Sequence, residues 1–215
     1  WGDKTKISNA EILVIGDSMA DDFKASLKSQ GLDINVLSLE AHCFDKLIKN
    51  KPTSESFCPT SLDEIKKTVS LHKHVFIAAD FISEDYARNA LILRDIFSKI
   101  SKTYIVNHFR FNYHASDLSY MYLTNRFKER IEHIAYKNLK PKFYEMNNTM
   151  SKKANFALVD KYSFFCDDIK KECKLYNSNK EPLFYDELHL TVKGYNIFGL
   201  ELINFLCKRD NKYCD

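Results

Sequence analysis

A serine hydroxyl is a poor nucleophile until a base accepts its proton, and that base works best when a third group orients it. Two stretches of the chain carry the residue types for this chemistry. "LVIGDSMADDF" (13–23) breaks an apolar, strand-like run on Gly-Asp-Ser, so Ser18 falls where a strand ends and a helix begins. "FYDELHLTVKGYNIFG" (184–199) carries Asp186 three residues before His189, just ahead of a C-terminal helical pattern. One turn of loop can aim both side chains the same way, with the carboxylate on one imidazole nitrogen. The other nitrogen is then left for a serine brought in from another strand. Ser18 as nucleophile, His189 as general base and Asp186 as its orienter is a constellation for acyl transfer. Plainer readings stand beside it: a turn into a helix at Ser18, loop capping by Asp186, and a half-buried, hydrogen-bonded His189.

The other six histidines offer weaker partners. His72 and His74 flank a strand start in "LHKH", His133 lies in a helical stretch, and His42 sits beside Cys43. His108 and His114 bracket "HFRFNYH", an aromatic and basic loop.

The elements that must position these groups are legible as alternation. "EILVIG" (11–16), "INVLSL" (34–39), "HVFIAA" (74–79), "TYIVN" (103–107) and "FALVD" (156–160) are short and rich in Val and Ile, as buried parallel strands are. Helices are predicted at 21–30, at 62–71 behind the capping-box pair Ser61 and Glu64, at 84–99, at roughly 118–139 and at 191–206. The stretch 44–60, with Pro52 and Pro59, is predicted to be a long loop. Such alternation predicts right-handed βαβ units in a three-layer α/β/α sandwich around a mostly parallel, five-stranded, flavodoxin-like sheet. In such sheets working groups collect at the carboxyl ends of the strands, where Ser18 would stand with helix N-terminal amides at hand. The predicted organisation is a single domain over 1–215, and the short polar lead from Trp1 reads as a cut from a longer protein.

Composition narrows the class. With 45% hydrophobic residues the chain can build a core, and a net charge of +3 without long basic runs disfavours nucleic acid as the main partner. No apolar run reaches the length of a membrane span. There is neither a Walker loop nor G-x-G-x-x-G, so a flavodoxin-like ligand binder lacks its phosphate cradle, and no metal or other cofactor is expected. The six cysteines fall in three local pairs, Cys43 with Cys58, Cys166 with Cys173 and Cys207 with Cys214. Six cysteines allow about 15 connectivities, so local pairing is one choice among several. Three bridges point to an oxidising compartment, and free thiols in a cytosolic protein are the alternative.

The second glycine of G-x-S-x-G is replaced by Ala20, and two residues between Asp and His are too few for an α/β-hydrolase. "GDS" near one end and "DELH" near the other resemble the SGNH, or GDSL-like, hydrolases. Cys43 after the second strand, the small 166–173 cysteine loop and "LFYDELHLTVKGY" narrow the likeness. They resemble the SGNH domains fused to membrane acyltransferase-3 proteins that O-acetylate bacterial surface polysaccharides such as lipopolysaccharide O-antigen. The resemblance implies Ser18, His189 and Asp186 in the roles above and an acyl donor delivered by a membrane domain. It also implies a polysaccharide acceptor and a monomeric domain, periplasmic or otherwise extracytoplasmic, tethered to the inner membrane. A carbohydrate acetylesterase with the same triad and a non-catalytic carbohydrate-binding module are the alternatives.

The chain departs from the family pattern at the oxyanion hole. No glycine lies in 34–46, and "AADF" puts Asp80 where the family carries asparagine. Backbone amides of Ser18, Met19 and Cys43, with the loop from Ala41, are the candidate donors. Asp17, Asp80 and His42 are candidate substrate contacts, with helix capping the plainer role for Asp80.

Overall fold

The computed structural model describes residues 10–49, 58, 61–114, 117, 120, 130–154 and 157–214. Five parallel strands form the sheet: β1 (Ile12–Gly16), β2 (Asn35–Ser38), β3 (His74–Ile77), β4 (Lys102–Val106) and β5 (Leu158–Val159), in the order β2-β1-β3-β4-β5. All five β1 residues are buried, as a central strand covered on both faces requires. Alternate residues serve opposite layers. Ile12 and Val14 join a core with α1 (Ser18–Lys28) and the C-terminal helix Val192–Cys207. Leu13 and Ile15 join the other, with α2 (Cys43–Ile48), α3 (Leu62–Val69) and α4 (Glu84–Phe97). Also seen among the described residues are α5 (Ile131–Lys137), α6 (Pro141–Ala154), α7 (Lys161–Phe165) and α8, the C-terminal helix. Among the described residues no helix is long and apolar enough to cross a membrane.

Several boundaries differ from the sequence expectation for physical reasons. The first helix starts at Ser18 rather than 21, because the Asp17 carboxylate caps it by accepting the Met19 N–H at 3.0 Å. The predicted loop 44–60 opens with α2, whose Cys43, Phe44 and Leu47 are buried; 50–57, 59 and 60 lie outside the described residues. Of the helix expected near 118–139, α5 is seen at 131–137, while 118, 119 and 121–129 lie outside the description. Sequence reasoning missed α6, which begins on Pro141, a residue suited to a first helical position because its missing N–H is not needed there.

The three local cysteine pairs are disulfide-bonded: 43–58, 166–173 and 207–214. The first closes a 15-residue separation, worth about 3 kcal/mol on the chain-entropy model. The second crosslinks the two-stranded antiparallel ribbon β6 (Cys166–Asp167) and β7 (Glu172–Cys173).

At the start of β3 His74 is fully buried, with Nε2 3.4 Å from Asp210 Oδ2 and Nδ1 3.4 Å from the Tyr104 hydroxyl. Burial pushes its imidazole below the ordinary 6.5, outweighing Asp210, and burial does the same to His108. The unfolded chain therefore takes up protons below pH 6.5 that the native state refuses, so stability falls as pH drops through that range. Urea midpoints should decline from pH 6.5 towards about 5.5, and His74→Phe should flatten part of the slope. A midpoint that rises on acidification in this window would contradict the assignment.

Candidate active site

Ser18 stands at the carboxyl end of β1, at the point where connections leave the sheet in opposite directions and a crevice opens between β1 and β3. Gly16 makes this placement possible. A Cβ at Gly16 would lie 1.7 Å from the Ala78 carbonyl oxygen, so only glycine lets the strand end pass β3 this closely. Across the helices, Gly199 permits α8 to lie against α1, since a Cβ there would meet the Ser26 carbonyl oxygen at 2.2 Å. The segment between Pro182 and α8 carries the histidine.

His189 Nε2 lies 2.9 Å from Ser18 Oγ, and its Nδ1 lies 2.7 Å from Asp186 Oδ2. Asp186 also shapes its own loop, because its Oδ1 accepts the N–H groups of Leu188 and His189, each at 2.7 Å. Burial pushes the Asp186 carboxyl up, but the two backbone N–H bonds and the His189 ring outweigh it and hold the group below the ordinary carboxylate range. An ionised Asp186 accepts a proton-bearing Nδ1, which leaves Nε2 as the acceptor for the serine hydroxyl. The loop is closed by the Tyr185 N–H on the His189 carbonyl at 3.2 Å, and the Tyr185 ring stacks on the imidazole at 5.6 Å between centroids.

The expected oxyanion donors fare unequally. The Met19 N–H donates to Asp17 Oδ1 at 3.0 Å and the Cys43 N–H to the Glu40 carbonyl at 2.9 Å, so both are already engaged. The Ser18 N–H, at the first residue of an 11-residue helix, has no acceptor among the described residues and sits at the positive end of the helix dipole.

Two of the expected substrate contacts are turned inward. Asp17 accepts the Met19 N–H with one oxygen and the Asp80 N–H with the other at 2.8 Å, joining the ends of β1 and β3. Burial raises the Asp17 carboxyl above its ordinary range despite those two bonds. Asp80 does not cap α4; Ser83 does, accepting the Tyr86 N–H at 3.3 Å. The Asp80 carboxylate is bound instead by Arg110 and by His108 Nε2 at 2.9 Å. Burial pushes it up, but His108 and the Arg110 charge prevail and keep it ionised. His42 stays partly exposed beside the 43–58 disulfide, with Nε2 3.6 Å from Cys43 Sγ. The sulfurs of that group are bonded to each other, so His42, Cys43 and Cys58 do not form a thiolate metal set.

Four groups that sequence reasoning did not place at the site border it: Arg110, His114, Glu187 and Asp22. Arg110 reaches from Asp80 to Glu187 Oε1 at 3.9 Å, and His114 Nε2 lies 3.2 Å from Glu187 Oε2. The signal was present in "HFRFNYH": a basic, aromatic segment directly after β4 belongs to the same carboxyl-end crevice as Ser18.

Comparison with known proteins bears on the family and the fold. The chain matches the family model described as the SGNH domain fused to AT3 domains over residues 2–202. No curated protein sequence matches it. Among solved structures it is similar to the periplasmic domain of a lipopolysaccharide acetyltransferase from Salmonella ser. Paratyphi A, with a TM-score of 0.65 and 14% identity. That alignment covers 93% of this chain and 85% of the other, and at such identity the likeness is one of fold. By the family match over most of its length, the chain belongs to the SGNH domains that are fused to AT3 domains.

Proposed function

We propose that the protein is a serine-dependent O-acetyltransferase domain that carries an acetyl group on Ser18 and passes it to a sugar hydroxyl of a bacterial surface polysaccharide. The observation that carries this reading is the unbroken hydrogen-bonded line Ser18, His189, Asp186 in a chain of this family. In the first half-reaction Ser18 Oγ bonds to the acetyl carbonyl carbon while its proton moves to His189 Nε2. The donor's leaving group then departs with that proton. In the second, His189 Nε2 takes the proton of the sugar hydroxyl, whose oxygen attacks the acetyl carbonyl. The Ser18 ester bond breaks and the proton returns to Ser18 Oγ.

Asp186 holds the imidazole in the required tautomer, and the Ser18 N–H stabilises the charged oxygen of each tetrahedral species. A hole with few donors favours a slow enzyme towards small free esters, since one missing donor costs about 2.7–4 kcal/mol. The family match supports an AT3 partner domain, which in this reading delivers the acetyl group, and the three disulfides favour an extracytoplasmic, periplasmic site of action. No metal or organic cofactor enters these steps.

Acceptor competition separates transfer from hydrolysis. With 4-nitrophenyl acetate as donor, added oligosaccharide should divert acetyl groups from acetate to sugar esters, read by mass spectrometry of the products. Release of acetate alone at every sugar concentration would favour an acetylesterase with the same triad.

A further inference from the structure

Behind the triad lies a charged pair whose burial needs a reason. Asp22 sits one helical turn after Ser18 on α1 and is 5% exposed; Lys161, at the start of α7, is 2% exposed. Lys161 Nζ is 3.8 Å from Asp22 Oδ2. The same Oδ2 accepts the Leu190 N–H at 3.3 Å, and Oδ1 accepts the Tyr195 hydroxyl at 3.0 Å. One carboxylate on the nucleophile's helix thus gathers the residue after His189, helix α8 and helix α7.

Two charges this deep are costly to desolvate, and a well-packed apolar pair is often as stable or more so. An apolar pair, however, could not accept the Leu190 N–H. That amide is the next one along from the His189 N–H, which Asp186 already holds at 2.7 Å. His189 is therefore clamped on both sides, by Asp186 from its own loop and by Asp22 from the serine's helix. Burial raises the Asp22 carboxyl above its ordinary range, only partly offset by Lys161 and by the Leu190 and Tyr195 bonds. Burial likewise lowers Lys161, only partly offset by Asp22 and Asp186, so it is the geometry of the bonds to Leu190 and Tyr195 that carries the inference.

We propose that Asp22 and Lys161 form a buried positioning pair that fixes the His189 loop against the Ser18 helix. Neither touches the reacting atoms. Lys161 keeps the Asp22 carboxylate an acceptor, and Asp22 holds the distance and angle between His189 and Ser18. The inference rests on the reading of Ser18 and His189 as the working pair, and one of its tests does not depend on activity.

The experiment compares wild type with Asp22→Asn, Lys161→Met and the milder Tyr195→Phe. The two readouts are hydrogen exchange at the Leu190 amide and the rate at which a fluorophosphonate labels Ser18 in folded protein. In Asp22→Asn a single amide oxygen must serve both Leu190 and Tyr195, while its NH2 group competes with the Lys161 ammonium. Leu190 should exchange about tenfold faster or more, the factor a hydrogen bond to a charged group represents. Ser18 labelling should slow by a similar factor, with Lys161→Met moving the same way. If Asp22→Asn does not fold, Tyr195→Phe decides, with smaller changes of the same sign expected. Unchanged Leu190 exchange and unchanged labelling, in variants whose Tm alone has fallen, would overturn the proposal and leave the pair a stability element. Absence of Ser18 labelling in wild type would instead refute the catalytic reading, and Leu190 exchange would still decide this one.

Discussion

Ser18→Ala is expected to remove acetyl-ester turnover almost completely, a loss on the order of 10⁴–10⁶-fold. In the proposed mechanism the hydroxyl supplies the atom that forms the covalent bond, and no other serine is 2.9 Å from His189 Nε2 among the described residues. The fold should survive, because Ser18 is exposed and its side chain caps nothing; Asp17 caps the helix. The assay is initial-rate hydrolysis of 4-nitrophenyl acetate, with circular dichroism to confirm folding. Wild-type-like turnover by the folded variant would remove Ser18 from the mechanism.

The largest structural effect is expected two residues earlier. In Gly16→Ala the new methyl would meet the Ala78 carbonyl oxygen at 1.7 Å and its carbon at 2.6 Å. Backbone on both sides leaves no side chain to swing away. Parallel strands β1 and β3 must part, disturbing the Ala78 N–H bond to the Ile15 carbonyl, now 2.9 Å. Overpacking of this kind costs about 3 kcal/mol or more. A chain of this size should then lose at least about 6 °C in Tm. Activity should fall further than stability, because Asp17 and Ser18 hang from the displaced strand end. A variant with unchanged Tm and turnover would show that the β1–β3 approach is looser than described.

The contrast between these two residues shows what the sequence makes legible. Val- and Ile-rich runs announced the strands because a parallel strand buried on both faces has no polar side to show. Asp186 and His189 were readable because three residues of separation fix their mutual reach within one loop. Gly16 was readable as part of a motif, but not as a packing necessity, since its neighbour Ala78 is 62 positions away in the chain. The same limit hid the engagement of the Met19 and Cys43 amides, which depends on where Asp17 and Glu40 turn. Asp22 and Lys161 were invisible as site residues for a related reason: their partners come from other strands and helices, and no local spacing encodes them. Short helices such as α2 carry too little periodicity to stand out from a Pro-containing loop.

The central claim is that Ser18 carries the acetyl group between donor and acceptor. Rapid mixing of the folded protein with 4-nitrophenyl acetate, acid quenching and peptide mapping by mass spectrometry tests it directly. The account predicts the mass of one acetyl group on the peptide that contains Ser18, discharged when oligosaccharide is added before the quench and absent when Ser18→Ala is mixed in the same way. Turnover of the ester with no acetyl on that peptide at any quench time, or with the acetyl on another residue, would contradict it.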